Sequence, residues 1–289
     1  MIRYSFWAVG AAASFSLMAV FVKLASGDFN AFELVFWRAL TTFIFMLCVV
    51  KARRLTLKTA YAGGHLVRGI LGTISMLLWF FSLGRMPLPT NMTLIYTSPI
   101  FMAIVFIVLA AARKRPAPWG TIAAIGLGFI GIIFVLKPSF EEGMLWVALL
   151  CLSSAAVDTV VYFQMQYLGR HEEPSWRIVF YFALMTVCLA PIGAFFLDTG
   201  MHIPSFETAL PLLGMGLCGT AGQLCTTKAY TDGNLLLSSC LGFAAIPFSA
   251  IIGIVLFGDK LDIATIFGIG FVITAGIFAT IYTQRKEHH

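Results

Sequence analysis

Long apolar runs separated by short polar segments make up most of the chain. A bilayer core about 30 Å thick is crossed by an α-helix of about 20 apolar residues. Ten runs come close to that length, at residues 4–25, 32–50, 66–84, 91–112, 118–136, 144–165, 177–197, 210–230, 235–257 and 263–283. Glycine, proline and charge cluster in the segments between them, such as "KARRLTLKTAYAGGH" and "GRHEEPSW". The pattern predicts an all-α polytopic membrane protein with ten transmembrane helices.

Composition strengthens this prediction. Of the 289 residues, 60% are hydrophobic and only 11% are charged, and the mean hydropathy is +0.92. A soluble domain of this length would carry far more charge on its surface. The composition therefore excludes an ordinary soluble protein.

The distribution of basic residues predicts the orientation in the membrane. With ten helices, thirteen Lys and Arg side chains, Arg68 among them, fall on the side that holds both termini. Arg85, Lys137 and Lys260 fall on the other side. Because cytoplasmic loops are enriched in positive charge, both termini are predicted to be cytoplasmic, in the cell inner (plasma) membrane. The same bias explains the net charge of +6, so nucleic acid is not an expected partner.

The chain lacks the motifs of membrane enzymes and of ATP-driven pumps. It contains no H-E-x-x-H, no G-x-S-x-G and no phosphate-binding G-x-x-x-x-G-K-[ST] sequence. His65, His171 and His202 are assigned to loops, and the six cysteines lie in apolar runs without flanking ligands. We therefore expect no enzyme activity, no metal site, no cofactor and no disulfide framework.

The two halves of the chain resemble each other. The segment "SPIFMAIVFIVLAAARKRPAPWGTIAAIGLG" aligns with "IPFSAIIGIVLFGDKLDIATIFGIGFVITAG" at an offset of 148, which pairs Pro99 with Pro247. An offset of 147 pairs Gly72 with Gly219, and an offset of 144 aligns "LVFWRAL" with "IVFYFAL". Each half holds five helices, an odd number, so we expect residues 139–289 to insert upside down relative to residues 1–138. Inverted repeats of this kind are typical of alternating-access transporters.

These segments resemble a known family. The five-plus-five arrangement, "FELVFWRAL", "TKAYTDGNLLLSSC" and "FAAIPFSAIIGIVLFGDKLDIATIFGIGFVITAGI" are similar to EamA-type transporters of the drug/metabolite transporter superfamily. The resemblance implies transport of metabolites such as amino acids, nucleotide-linked compounds, amines or drugs, more often outward than inward. Asp259 stands where the family usually has glutamate, and no catalytic role is carried over to it.

Four charged residues lie inside the predicted helices. Lys23 and Lys228 are close to helix ends, where a long side chain can reach the interface. Arg38 lies six residues inside the second helix, so Lys23 and Arg38 are candidates for a gate or vestibule on the outer side. Asp158 lies about fourteen residues from the outer end of the sixth helix. It is predicted to carry a proton, contact a cation or pair with Lys228.

Polar and aromatic side chains at helical spacing predict the substrate site. The candidates are Trp79, Tyr96, Asp158, Tyr162, Gln223, Thr227 and Lys228. Pro99 and Pro247 are predicted to bend their helices at corresponding places in the two halves. A central cavity is therefore expected among the third, fourth, eighth and ninth helices.

The predicted function is secondary active transport of small organic metabolites, with export favoured. Amino acids and related zwitterionic or anionic solutes are the expected substrates, because positive charges outnumber Asp158 within the spans. A channel or facilitator, and a membrane-embedded enzyme as the less favoured case, are the alternatives. The expected partners are a small-molecule substrate and the lipid bilayer. Coupling to a proton or another ion stays open, as does the choice between monomer and homodimer.

Overall fold

A computed structural model of the protein describes residues 1–25, 27–83, 85, 88–137, 143–196, 200–257 and 263–287. These residues form helices joined by turns and loops, with no β-strand among them. The helices are α1 Ile2–Ser5, α2 Trp7–Ala25, α3 Ala31–Ala52, α4 Ala62–Leu83, α5 Leu88–Ile95, α6 Ser98–Ala112, α7 Trp119–Leu136, α8 Leu145–Arg170, α9 Ser175–Phe196, α10 Phe206–Asp232, α11 Leu235–Gly242, α12 Ala245–Ile252 and α13 Ile263–Glu287. A π-helix, Gly253–Phe257, continues α12. The all-helical prediction is confirmed for the described part of the chain.

Nine segments of the described chain are long and apolar enough to cross a membrane. They are Ile2–Val22, Ala31–Ala52, Ala62–Ser82, Thr90–Ala112, Trp119–Leu136, Leu145–Arg170, Ser175–Phe195, Leu235–Leu256 and Ile263–Arg285. Large apolar side chains on the outside of the bundle agree with a lipid environment, as at Val255, Ile263 and Phe267, which are 73%, 73% and 64% exposed. The protein is a multi-pass membrane protein.

The predicted eighth helix differs from these nine. It is present as α10, whose 27 residues span about 40 Å at 1.5 Å per residue. Its second half, "GTAGQLCTTKAYTD", contains several polar residues, and α10 packs against α2, α3 and α8.

Polar caps determine where several helices begin. The Asn30 side chain accepts hydrogen bonds from the backbone N–H groups of Phe32 and Glu33, and Glu33 accepts one from the backbone N–H of Asn30. Ser205 caps α10 and Asn234 caps α11 in the simpler one-sided way. These caps satisfy N–H groups that would otherwise have no partner at the helix start.

Two of the predicted helices are interrupted. The fourth run forms α5 and α6, with a turn at Tyr96 and Thr97, and Pro99 lies in the first turn of α6. The ninth run forms α11 and α12, with a turn at Phe243 and Ala244. Pro247 lies in the first turn of α12. Proline is tolerated there because the first N–H groups of a helix lack an intrahelical acceptor. Each proline therefore lies just after a break in its span.

Helices α3 and α9 pack against each other in opposite directions. Next to the start of α9, Arg177 Nη2 donates to the Thr56 carbonyl at 3.0 Å, and Thr56 lies in the loop that follows α3. At the other end of the bundle, His202 Nδ1 lies 2.8 Å from Glu33 Oε1, and His202 lies in the loop that follows α9. The beginning of each helix is thus beside the end of the other.

The remaining helices assemble around this pair. Close packing joins α2 to α10, α4 to α8 and α7 to α13. The backbones of α7 and α13 approach each other closely, because a Cβ on either Gly131 or Gly268 would lie 2.6 Å from the carbonyl oxygen of the other. Small residues allow such backbone approach between membrane helices. Helices α3, α4, α8, α9 and α10 surround the polar centre described next.

Candidate functional site

Two buried arginines meet at one aromatic ring in the centre of the bundle. Arg38 lies on α3 and Arg68 on α4, and each is only 2% exposed. The guanidinium carbons lie 6.0 Å (Arg38) and 4.2 Å (Arg68) from the ring centroid of Phe182 on α9. Each arginine lies about two turns inside its own helix, and the two helices start at opposite ends of the bundle. The side chains therefore approach the centre from opposite directions.

These guanidinium groups lack oxygen acceptors among the described residues. Nε of Arg38, and Nε and Nη1 of Arg68, are buried without a hydrogen-bond partner. Nη2 of Arg38 donates to the thioether sulfur of Met76 at 2.8 Å, which is a weak acceptor. A buried cation with so few acceptors is costly unless a further group compensates it.

Asp158 on α8 is the carboxylate of this centre. Its Oδ1 accepts a hydrogen bond from Ser75 Oγ at 2.6 Å, and Ser75 Oγ lies 3.0 Å from Ser154 Oγ. Asp158 is only partly buried although it lies at the middle of the 26-residue helix. Arg68 acts electrostatically on it, but the two do not form an ion pair within 4.0 Å. The described part of the chain thus brings two cations and one carboxylate to the centre.

A pair of stacked tyrosines forms one wall of the centre. The rings of Tyr162 on α8 and Tyr230 on α10 are parallel within 3°, with centroids 4.0 Å apart. Three residues before Tyr162, Thr159 Oγ1 donates to the Ser98 carbonyl at 3.1 Å, at the break between α5 and α6. One residue before Tyr230, the Ala229 carbonyl accepts a hydrogen bond from Ser238 Oγ on α11 at 2.9 Å. The helix segments that hold the stack are therefore joined to both interrupted spans.

Glycines make room for both arginines. A Cβ on Gly72 would collide with Nη1 of Arg68, and a Cβ on Gly219 would lie 3.1 Å from Cγ of Arg38. These are the two glycines that the internal alignment pairs at an offset of 147.

Several predicted site residues are close to this centre or near the interrupted spans. Asp158, Tyr162 and Arg38 contribute directly. Tyr96 lies at the α5–α6 break and packs edge-on against Phe243 at the α11–α12 break, with centroids 6.3 Å apart. Trp79 belongs to a separate hydrogen-bond network with Asn91 and Ser82, in which its Nε1 donates to Asn91 Oδ1 at 2.9 Å.

The predicted α10 residues have mixed positions. Gln223 and Thr227 are buried, and the Thr227 hydroxyl donates to the Gln223 carbonyl of its own helix at 2.8 Å. Lys228 forms an ion pair with Asp232 one turn later and lies over the ring of Tyr4. The proposed Asp158–Lys228 pair is therefore not formed, since Lys228 has a carboxylate at the end of its own helix.

Of the two predicted gate residues, Arg38 and Lys23, the structure describes the side chain of Arg38. Arg38 is not at an open entrance in this structure but is buried beside Phe182 and Met76. Its long side chain reaches inward, away from the start of α3. Lys23 belongs to α2, and its side chain lies outside the described part of the structure. Asp259 lies outside the described residues as well.

Arg68 was not among the predicted site residues. It lies in the predicted helix 66–84 but was counted only with the charges of the cytoplasmic side. The assignment of His65 to a loop is wrong, because α4 begins at Ala62, and both side chains are 2% exposed. The available signal was Gly72, which lies one turn after Arg68 and leaves space for a guanidinium on the same helix face.

Ionic contacts lie at both ends of the α3–α9 pair. Glu173 is bound by Thr59 Oγ1, by His65 Nε2 at 3.2 Å and by Arg177 Nη1 at 2.9 Å. Burial raises the pKa of the Glu173 carboxyl, but hydrogen bonds from Thr59, Arg177 and His65 outweigh it, so this pKa lies below its usual value. At the opposite end, the fully buried Glu33 accepts from both the backbone N–H and the ring of His202. We call these the Glu173 latch and the Glu33 latch.

The described residues contain no group of three or more His, Cys, Asp or Glu side chains that could hold a metal ion. The charged, hydroxyl and aromatic side chains of the centre can recognise a solute by charge, hydrogen bonding and aromatic contact.

Comparison with known proteins identifies the family. The model of the EamA-like transporter family matches residues 2–137 and 143–282. The chain belongs to the EamA-like transporter family. This confirms the resemblance found in the sequence.

Relatives of this EamA-like protein carry transporter names. A riboflavin transporter of Rhizobium johnstonii is 27% identical over 288 residues, covering 97% of this chain and 92% of that protein. The pseudopaline exporter CntI of Pseudomonas aeruginosa is 26% identical over 278 residues, covering 96% and 95%. An S-adenosylmethionine uptake transporter of Rickettsia bellii is 26% identical over 285 residues, covering 97% and 94%. The family and these names point to a transporter rather than an enzyme.

The fold also occurs in a solved structure. A crystal structure with 16% sequence identity superimposes with a TM-score of 0.81, covering 96% of this EamA-like chain and 97% of the other. At that identity the likeness concerns the fold alone.

Proposed function

We propose that the protein is a secondary active transporter of small organic metabolites that works by alternating access. The observation that carries this proposal is the group of Arg38, Arg68 and Asp158, which lies inside helices of membrane-spanning length. Ionisable residues inside a membrane are costly and mark pathways for polar solutes. Amino acids and related zwitterionic or anionic solutes fit the excess of positive charge.

We further propose that ten helices form two inverted repeats, residues 1–138 and 139–289, with α10 as the crossing that the nine apolar segments lack. Two matching hydrogen bonds support this proposal. Thr73 Oγ1 on α4 lies 2.9 Å from Thr186 Oγ1 on α9, and Thr220 Oγ1 on α10 lies 2.9 Å from Thr42 Oγ1 on α3. The alignment offsets of 147 and 144 exchange these two pairs. The antiparallel packing of α3 and α9 is the geometry that inversion requires.

The interrupted spans support the same symmetry. Thr159 Oγ1 on α8 donates to the Ser98 carbonyl at 3.1 Å, where α6 begins. Ser16 Oγ on α2 donates to the Ala245 carbonyl at 3.1 Å, where α12 begins. Broken helices in corresponding places are typical of the central site of secondary transporters.

The two latches suggest how access alternates. The Glu173 latch ties the loop after α3 to the start of α9, and the Glu33 latch ties the loop after α9 to the start of α3. Both are closed in this structure. In the proposed cycle one latch opens while the other stays closed, so that the central charges face one side at a time.

We propose that both termini are cytoplasmic in the inner (plasma) membrane and that transport is outward. An exporter among the relatives favours this direction, while another relative is named for uptake. Transport must therefore be measured in both directions.

The test begins with a thermal-shift screen of the purified protein against a library of metabolites. Each compound that stabilises the protein is then used in counterflow experiments with proteoliposomes. A transporter exchanges labelled for unlabelled solute and saturates with concentration. Flux that rises linearly without counterflow would indicate the alternative, a channel or facilitator, and overturn alternating access.

A further inference from the structure

We propose that Arg38 and Arg68 together bind an oxyanion, a carboxylate or a phosphate, carried by the transported solute. This inference rests on the proposed transport function and assigns the solute's anionic group to a defined place beside Phe182.

The charges at the centre favour binding of an anion. Arg38 and Arg68 bring two positive charges to the bundle centre, and Asp158 brings one negative charge. Among the described residues, the other buried carboxylates are Glu33 and Glu173, and these are occupied at the two ends by the latches. The centre thus keeps a positive surplus in surroundings of low dielectric, where an anion would be bound strongly.

Hydrogen-bond donors without acceptors also favour binding of an oxyanion. Nε of Arg38, and Nε and Nη1 of Arg68, are buried N–H donors that have no acceptor. Guanidinium groups present planar sets of donors that match the oxygen atoms of carboxylates and phosphates. Solute oxygens would supply the acceptors that the described chain does not provide.

The aligned positions in the second half of the chain form similar helix contacts without an arginine. A Cβ on Gly72 would lie 2.9 Å from Phe182, whereas one on Gly219 would lie 3.1 Å from Arg38. In the contact around Gly72, Phe182 thus takes the position that Arg38 has in the contact around Gly219. The offset of 144 that aligns "LVFWRAL" with "IVFYFAL" pairs the same two residues.

The same comparison applies to Arg68. The offset of 147 pairs Arg68 with Met215, next to the glycines Gly69 and Gly216. A Cβ on Gly69 would collide with Met185 and one on Gly216 with Thr41, and these two residues are themselves 144 apart. The same helix contacts are therefore formed with neutral side chains in place of the arginines. Packing alone does not require either charge, which leaves ligand binding as their role.

The experiment uses the full chain in lipid nanodiscs and four small probes. Benzoate and phenyl phosphate carry the anion, and benzyl alcohol and benzylamine are the neutral and cationic counterparts. We expect thermal stabilisation by benzoate or phenyl phosphate and not by the other two, and the stronger anion identifies carboxylate or phosphate as the natural group. Stabilisation of the wild type that is equal for benzoate and benzyl alcohol would overturn the inference.

Variants separate binding from packing. Arg68→Gln and Arg38→Gln should each weaken binding of the anionic probe by about tenfold or more, as expected for loss of a buried charged contact. Arg85→Gln is the matched control, because Arg85 also lies over a ring, Phe81, at 3.6 Å but is exposed. It should bind the probe like the wild type.

Stability without ligand is a second readout. An arginine kept for ligand binding leaves unpartnered donors in the empty protein, so both glutamine variants should unfold at the wild-type temperature or above it. A lower unfolding temperature together with unchanged anion binding would show that the arginines are structural. Failure of counterflow for every solute would overturn transport while leaving anion binding intact, so the two proposals can fail separately.

Discussion

Arg68 folds back along α4 so that its guanidinium covers Gly72, one turn later on the same helix, and faces the ring of Phe182. The side chain fits only because Gly72 has no Cβ. This relationship links a backbone feature readable in the sequence to the position of a buried charge.

Gly72→Ala should therefore displace Arg68. The added Cβ collides with Nη1 and would lie 2.9 Å from Phe182, so we expect a destabilisation of about 1–3 kcal/mol and weaker anion binding. Thermal unfolding and probe titration measure the two effects. Gly126→Ala on α7 is the control, because no atom lies within 4 Å of its new Cβ. An unchanged Gly72→Ala protein would contradict the packing described for Arg68.

Asp158→Asn should alter transport while the protein still inserts and folds. Asparagine can still accept the hydrogen bond from Ser75 through its side-chain oxygen, but the negative charge is lost. We expect slower transport or a changed pH profile in proteoliposomes. Ser153→Ala on the exposed side of α8 is the control. Identical flux and pH profile in Asp158→Asn would exclude both a proton-carrying and a substrate-binding role.

The Glu173 latch should make stability depend on pH. The pKa of Glu173 is lowered in the folded protein, so its contribution is present above the carboxyl's unfolded pKa and is lost as the pH falls through the folded pKa. Glu173→Gln should lower stability at neutral pH by roughly 1–3 kcal/mol and flatten its decline in acid. The test is to measure the free energy of unfolding at several pH values from about 3 to about 7, a range that brackets the usual carboxyl pKa.

The control for that experiment is the neighbouring residue. Glu172 is exposed, whereas Glu173 is buried against Thr59, His65 and Arg177. Glu172→Gln should keep the wild-type pH dependence. An equal effect of both substitutions would show that net charge, not the latch, governs stability in acid.

The two threonine pairs should respond alike. Thr73→Val and Thr220→Val each remove one hydrogen bond between helices and one to the carbonyl four residues earlier, at Gly69 or Gly216. We expect each to cost about 0.5–1.5 kcal/mol, and the double variant to show the sum. Thermal unfolding of the three variants measures this. A large loss at one site and none at the other would argue against equivalent repeats.

Much of the helical architecture could be predicted from the sequence. The apolar runs located every long helix to within a few residues, because in a bilayer the backbone N–H and C=O groups must be satisfied within the segment. The alignment of Pro99 with Pro247 likewise pointed to the two interrupted spans.

The partners of charged side chains could not be predicted in this way. Lys228 was a plausible partner for Asp158 by depth, yet it pairs with Asp232 on its own helix. Arg68 lies near the start of the predicted helix 66–84 and was counted only with the charges of the cytoplasmic side, because hydropathy does not locate the first turns of a helix that begins with "AGGHLVRG". Small errors at a helix start thus concealed a central residue.

The sequence by itself determined that the chain is helical and embedded in the membrane, and it predicted an internal repeat, since these inferences follow from local hydrophobic pattern and residue spacing. Only the tertiary structure decided that Arg38, Arg68 and Phe182 meet. Helix rotation and the close approach permitted by Gly72 and Gly219 bring together side chains from α3, α4 and α9, and such contacts depend on packing between helices rather than on any one segment.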